Sequence, residues 1–216
     1  MTSQMIFLLI VRDLKAYRRQ ILGWSVFALV MGMFTIFVNT HLDRMFAGGS
    51  NLIFLAAVWP FIMESKDKST WMHTASLPVT RRAIVISRYL SSLSIAAINL
   101  VIWVLLFNLI QTLFIPGSEY VVGGKVAFYV WMDLLFHVGV FYFAYYRFNF
   151  IVAIAFYFIP IFLPTILRGV FSVEVIPMSD HVIEDGNLFS TGVLVAIGVF
   201  MVSFSSSIFH FHRKDI

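Results

Sequence analysis

Charge is what this chain has least of. Only 12% of its 216 residues are charged and 60% are hydrophobic, whereas an ordinary soluble domain carries about 25% charged and about 45–50% apolar residues. That deficit excludes a water-soluble globule. It also excludes a disordered or nucleic-acid-binding tail, because 24 phenylalanines and so few polar groups cannot keep such a chain solvated. Cysteine is absent, which rules out disulfides and thiolate metal sites and leaves either side of a membrane open. Also missing are the P-loop pattern G-x-x-x-x-G-K-[ST], the H-E-x-x-H and G-x-S-x-G motifs, and any carboxylate pair suited to intramembrane hydrolysis. Gly123-Gly124-Lys125-Val126 fails the P-loop pattern in spacing and in its last residue. The chain is expected to be no enzyme and to hold no metal or cofactor.

What is present is a set of long apolar stretches. A helix needs about 20 residues to cross the hydrocarbon, and stretches of that order run over Gln20–Leu42, Met45–Met63, Tyr89–Ser118, Val126–Tyr146, Phe148–Leu167 and Gly186–His212. They predict an all-α membrane protein of six transmembrane helices in one domain, residues 1–216. Residues 1–19 precede the spans, 20–63 hold spans one and two, 64–90 form a cytoplasmic segment, and 91–167 hold spans three to five. Residues 168–187 are an outer segment with Glu174, Asp180, Glu184, Asp185 and Pro177, and 188–216 are span six and a tail. No internal repeat is evident.

With the N-terminus in the cytoplasm, Arg12, Lys15, Arg18, Arg19, Lys66, Lys68, Arg81, Arg82, Arg88, Arg147, Arg213 and Lys214 lie inside, and only Arg44, Lys125 and Arg168 lie outside. That asymmetry is a positive-inside signal and puts both termini in the cytoplasm of a multi-pass protein of the cell membrane. The start is not a cleaved signal peptide, since its basic residues follow the apolar run Met5–Val11 instead of preceding it. Met5–Arg19 reads as an interfacial helix on the inner leaflet, with Arg12, Lys15 and Arg19 at helical spacing.

The segment Glu64–Leu90, ESKDKSTWMHTASLPVTRRAIVISRYL, is amphipathic and too long for a tight turn. Ser69 or Thr70 can cap a short helix through Ala75, Leu77-Pro78 ends it, and Thr80 can cap a second helix running into the third span. Arg81 and Arg82 then fall in a first turn, where the helix dipole disfavours them. Either the anionic inner leaflet favours them, or an acidic groove on a cytoplasmic partner does, with Trp71 and Met72 as apolar anchors.

The run Leu77-Pro78-Val79-Thr80-Arg81-Arg82, and the order of parts over the whole chain, resemble the bacterial ABC-2 type transporter permeases. Within that family the loop and the small size resemble the permeases of the staphylococcal phenol-soluble modulin exporter. The resemblance implies an N-terminal connecting helix, six spans and a coupling helix between the second and third, in the bacterial cytoplasmic membrane. Ser69, Thr70, Trp71, Met72, His73, Arg81 and Arg82 would engage a separate ATPase subunit that holds the ATP and Mg. Glu64 would pair with Arg12, Arg18 or Arg19. Two permeases, as a homodimer or heterodimer, would work with two ATPases. The cargo would be hydrophobic or amphipathic, with cytolytic peptides of the phenol-soluble modulin type first, and antibiotics or bacteriocins as the alternative. A different class of reading is a non-transporting membrane scaffold or sensor whose loop binds a partner.

Inside the spans, Asp133 and His137 share a helix face four residues apart. An ionisable group in lipid is costly and marks a candidate site. The pair is readable as a proton or cation relay, as a contact for basic groups of an amphipathic substrate, or as a bond to headgroups or a neighbouring helix. Asn99, Asn108 and Gln111 are readable as glue between helices or as pathway lining. Pro160 and Pro164 bracket the end of the fifth span, where a kink can serve as an outer gate. His210-Phe211-His212 has no acidic or thiol company and reads as interfacial rather than as a metal site.

Overall fold

The apolar stretches are helical in the computed structural model, which describes residues 2–38, 51–59, 61, 80–114, 123–158 and 186–213. Among these residues stand seven helices and no strand: α1 (Thr2–Ala16), α2 (Arg18–Val38), α3 (51–59), α4 (Arg81–Phe114), α5 (Gly124–Arg147), α6 (150–158) and α7 (Gly186–Arg213). Arg81–Leu109, Gly124–Arg147 and Ser190–His210 are long and apolar enough to cross a membrane. The described parts of the other three expected spans fall in α2, α3 and α6. Glu64, Ser69, Thr70, Trp71, Met72, His73, Pro160, Pro164 and nearly all of the outer segment lie outside the described residues.

Local chemistry sets several helix starts. Thr80 caps α4 as expected: its Oγ1 accepts the Ala83 amide at 3.3 Å and its carbonyl accepts the same amide at 2.9 Å. Asn149 does the same for α6, with Oδ1 accepting from Val152 N at 2.9 Å, so α5 hands over to α6 through Phe148 and Asn149 alone. The expected interfacial helix Met5–Arg19 is shorter at its C-terminal end, for α1 stops at Ala16. The interruption is only Tyr17, whose amide still bonds Asp13 O at 3.0 Å while its carbonyl accepts Ile21 N at 2.9 Å.

α5 and α7 share the most extensive helix contact, and α4 packs against α1, α5 and α7. In lipid there is little hydrophobic gain on bringing two helices together, so small residues and interhelical hydrogen bonds decide where they meet. That pattern holds here. Ala196, Ser203 and Ser207 of α7 are buried, and so are Ser87, Ser91, Ser92 and Ala96 of α4. Ser92 Oγ and Tyr142 OH are 2.6 Å apart, joining α4 to α5, and Tyr89 OH and Ser207 Oγ are 2.9 Å apart, joining α4 to α7. The rings of Tyr89 and Tyr142 lie 4.8 Å apart at the centre of this arrangement. These bonds set the N-terminal end of α4 beside the C-terminal ends of α5 and α7. Replacing Tyr142 with Phe is expected to cost about 0.5–1.5 kcal/mol, measured as a lowered unfolding temperature in detergent, with the helical spectrum unchanged.

Candidate functional site

Asp13 is the only acid between Met1 and Leu42, and α1 turns it inward. Leu9 and Asp13, one helical turn apart, are both buried and face α4, while Phe7 and Leu8 are 64% exposed. Asp13 is 1% exposed and its partner Arg88, in the second turn of α4, 3%. Arg88 Nη1 lies 3.3 Å from Asp13 Oδ2, a charge contact without hydrogen-bond alignment. Arg12 closes on the other oxygen, donating to Oδ1 from Nη2 at 2.7 Å and from Nε at 3.1 Å. The Arg88 guanidinium also stands 4.7 Å above the Phe61 ring, which Tyr17 meets edge-on at 5.7 Å. One buried carboxylate thus ties α1, the base of α4 and Phe61 together. Arg12 belongs to the expected connecting-helix set, and the acid placed against it is Asp13. The expected pairing with Glu64 lies outside the described residues.

The remaining expected residues at this end are more open. Arg18 and Arg19 are exposed on the first turn of α2, Arg81 is half-buried and Arg82 exposed on the first turn of α4. At the C-terminal ends of α5 and α7, Arg147 Nη1 donates to His210 Nε2, while His210 Nδ1 donates to Ser206 O at 2.9 Å. His210 is therefore neutral here and holds two helix ends together. Arg12, Arg81, Arg82, Arg88 and Arg147 accordingly gather at one end of the bundle. Among the described residues no group of three or more His, Cys, Asp and Glu can hold a metal ion.

A second polar cluster lies within the apolar part of α5. Asp133 sits nine residues into the helix, about 14 Å along its axis. His137 Nδ1 lies 2.8 Å from Asp133 O and 3.2 Å from Asp133 Oδ1, so the pair does share a face as its spacing implies. Around the imidazole stand Tyr157 at 5.5 Å, Phe136 at 5.5 Å and Phe54 at 6.1 Å between ring centroids. Phe54 and Tyr157 are stacked at 4.2 Å, and Tyr157 OH donates to Asn51 Oδ1 at 2.8 Å. The cluster therefore joins α3, α5 and α6. Asn99 takes no part in it: its Nδ2 bonds back to Ile95 O at 2.9 Å in its own helix. Asn108 is half-buried on α4, its carbonyl accepting Thr112 Oγ1 at 2.8 Å.

Two things escape a reading of the sequence alone. Asp13 looks like one more solvated charge among bases, although its being the lone acid of the N-terminal helix, at i+4 from Leu9, was a usable signal. Phe54, Tyr157 and Asn51 carry no signal of their own, since only the packing of α3 and α6 on α5 brings them to His137.

The family model for "ABC-2 family transporter protein" matches residues 8–212, nearly the whole chain. No curated protein and no solved structure matches it. The match takes in α4, α5 and α7, the Arg12–Asp13–Arg88 junction and the Asp133–His137 pair. The chain belongs to the ABC-2 transporter family: it is a membrane permease of an ABC transporter, a kind of subunit that works with an ABC ATPase.

Proposed function

We propose that the chain is the membrane-spanning half of an ATP-driven exporter in the bacterial cytoplasmic membrane, with six spans and both termini in the cytoplasm. Two copies work with two ATPase subunits that bind ATP and Mg, and the chain itself catalyses nothing. Its cargo is hydrophobic or amphipathic, cytolytic peptides of the phenol-soluble modulin type being the leading class and antibiotics or bacteriocins the next.

The observation that carries the reading is the buried Asp13–Arg88 contact. Residues 64–80, the expected coupling segment, run directly into α4, and Arg88 lies in the second turn of that helix. A displacement applied to the segment through Ser69, Thr70, Trp71, Met72 and His73 reaches α4 first. Because Asp13 pins α1 to the same turn, α1 moves with it. α4 in turn is bonded to α5 and α7 through Ser92–Tyr142 and Tyr89–Ser207. A rigid path thus leads from the cytoplasmic end into three apolar helices, as a transporter driven from below requires.

The test is physical association. The chain is expected to co-purify with an ATPase encoded in the adjacent reading frame, and the double change Trp71→Asp/Met72→Asp is expected to release it. A complex that survives the double change intact would show that the ATPase grips some other surface. A partner without a P-loop would favour the scaffold or sensor reading.

A further inference from the structure

The polar groups gathered around Asp133 share one chemical property: they accept hydrogen bonds and have no donor to spare. His137 Nδ1 faces two Asp133 oxygens, the carbonyl at 2.8 Å and Oδ1 at 3.2 Å, and so carries the ring proton. That leaves Nε2 as a lone-pair acceptor. It is buried, on a residue only 8% exposed, and has no hydrogen-bond partner among the described residues. Tyr157 spends its proton on Asn51 Oδ1 and keeps acceptor capacity on its oxygen. Tyr129 and Tyr157 both lie within electrostatic range of the Asp133 carboxylate, whose side chain is 31% exposed. The walls are aromatic faces, Phe54 stacked on Tyr157 and Phe136 against the imidazole.

No basic side chain of α5 can supply the missing positive charge. Its other charged residues are Lys125 and Arg147, eight and fourteen positions from Asp133, or about 12 Å and about 21 Å along the axis. A carboxylate held among apolar helices with only a neutral imidazole beside it is expensive. An arriving cation with N–H donors relieves that cost: it neutralises Asp133, gives the orphaned acceptors a donor, and meets the negative faces of Phe54 and Tyr157. An anion or a neutral donor-free molecule gains none of this.

We infer that Asp133 and His137, walled by Phe54, Phe136 and Tyr157, form a binding site within the membrane for a primary ammonium or guanidinium group on an amphipathic molecule. Calling that molecule the cargo rests on the exporter reading above; the existence of the site does not. In the exporter, it is the point at which a basic side chain or amino terminus of the cargo is held while its apolar part lies along the helices.

Binding is tested without ATP or a partner subunit, on the full chain in lipid nanodiscs, by calorimetric titration against empty nanodiscs. Three probes share one tail: octylammonium, octyltrimethylammonium and octanol. Octylammonium is expected to bind saturably at one site per chain. Octyltrimethylammonium, charged but without N–H, should bind at least tenfold more weakly, and octanol should only partition as into empty discs. Asp133→Asn is expected to weaken octylammonium at least tenfold, while Asp133→Glu keeps most of the affinity. His137→Phe, which retains the ring and removes the acceptor, should narrow the gap between the two cations. The inference is overturned if wild-type chain shows no saturable octylammonium binding, if the three probes bind alike, or if Asp133→Asn and wild type bind equally. The exporter reading fails by a different result, the absence of an associated ATPase.

Discussion

Replacing Asp13 with alanine is expected to be among the most damaging single changes at the cytoplasmic end. Removing one member of a buried ion pair costs about 3–5 kcal/mol, because the charge left behind stays buried without compensation. Here that charge is Arg88, 3% exposed beneath α1 and over the Phe61 ring. The measurement is thermal unfolding in detergent, where Asp13→Ala should unfold well below wild type. The double change Asp13→Leu/Arg88→Met separates the two roles of the pair. Apolar residues of similar volume are expected to restore most of the lost stability, since a buried pair contributes little net energy against a well-packed hydrophobic substitute. Transport should not return with it, if the charge contact is what fixes α1 in register with α4. Full recovery of both would reduce the pair to a packing element.

The second large effect is expected at Gly139, where α5 and α7 approach most closely. A Cβ at this position would stand 3.1 Å from the Phe200 Cα, 3.5 Å from its ring and 3.6 Å from the Ser203 Cβ. The nearest of these is backbone, which cannot swing aside as a side-chain end can. Gly139→Ala therefore asks α7 to shift by a few tenths of an ångström and should be mildly destabilising. Gly139→Leu forces the helices apart, and overpacking of this kind costs about 1–3 kcal/mol or more. Because Tyr89–Ser207 and Arg147–His210 bridge to the same helix, the leucine variant should also loosen those contacts. The expected result is a graded series, wild type above alanine and alanine far above leucine, in unfolding temperature and in yield from the membrane. Leucine tolerated as well as alanine would mean that the two helices do not rest on each other here.

The architecture was readable from the sequence where it depends on composition and local chemistry. Stretches without charge became helices, Thr80 capped the helix it precedes, and the four-residue spacing of Asp133 and His137 put them on one face. These are properties of a segment by itself. Asp13 was not readable in that way, because whether a charge is solvated or buried is decided by what docks on it. Between Arg12 and Lys15 an acid looks like part of a solvated face, and only the packing of α1 on α4 makes it the centre of the junction. The aromatic walls around His137 were hidden for the same reason, since Phe54 lies 83 and Tyr157 20 positions away in sequence. In a membrane protein, where nearly every span is apolar all round, sequence periodicity says little about which face meets a neighbour. The small residues of α4 and α7 carry that information instead.

The central claim is that a separate ATPase drives this chain through the junction of α1 and α4 to export amphipathic cargo. The most direct measurement uses inside-out membrane vesicles containing the chain and the ATPase of the adjacent reading frame, supplied with a labelled cationic amphipathic peptide. The account predicts uptake that needs ATP hydrolysis and both subunits, and that is lost in Trp71→Asp/Met72→Asp. An assembled complex that hydrolyses ATP and moves no such peptide, or uptake that persists without the ATPase, would contradict it.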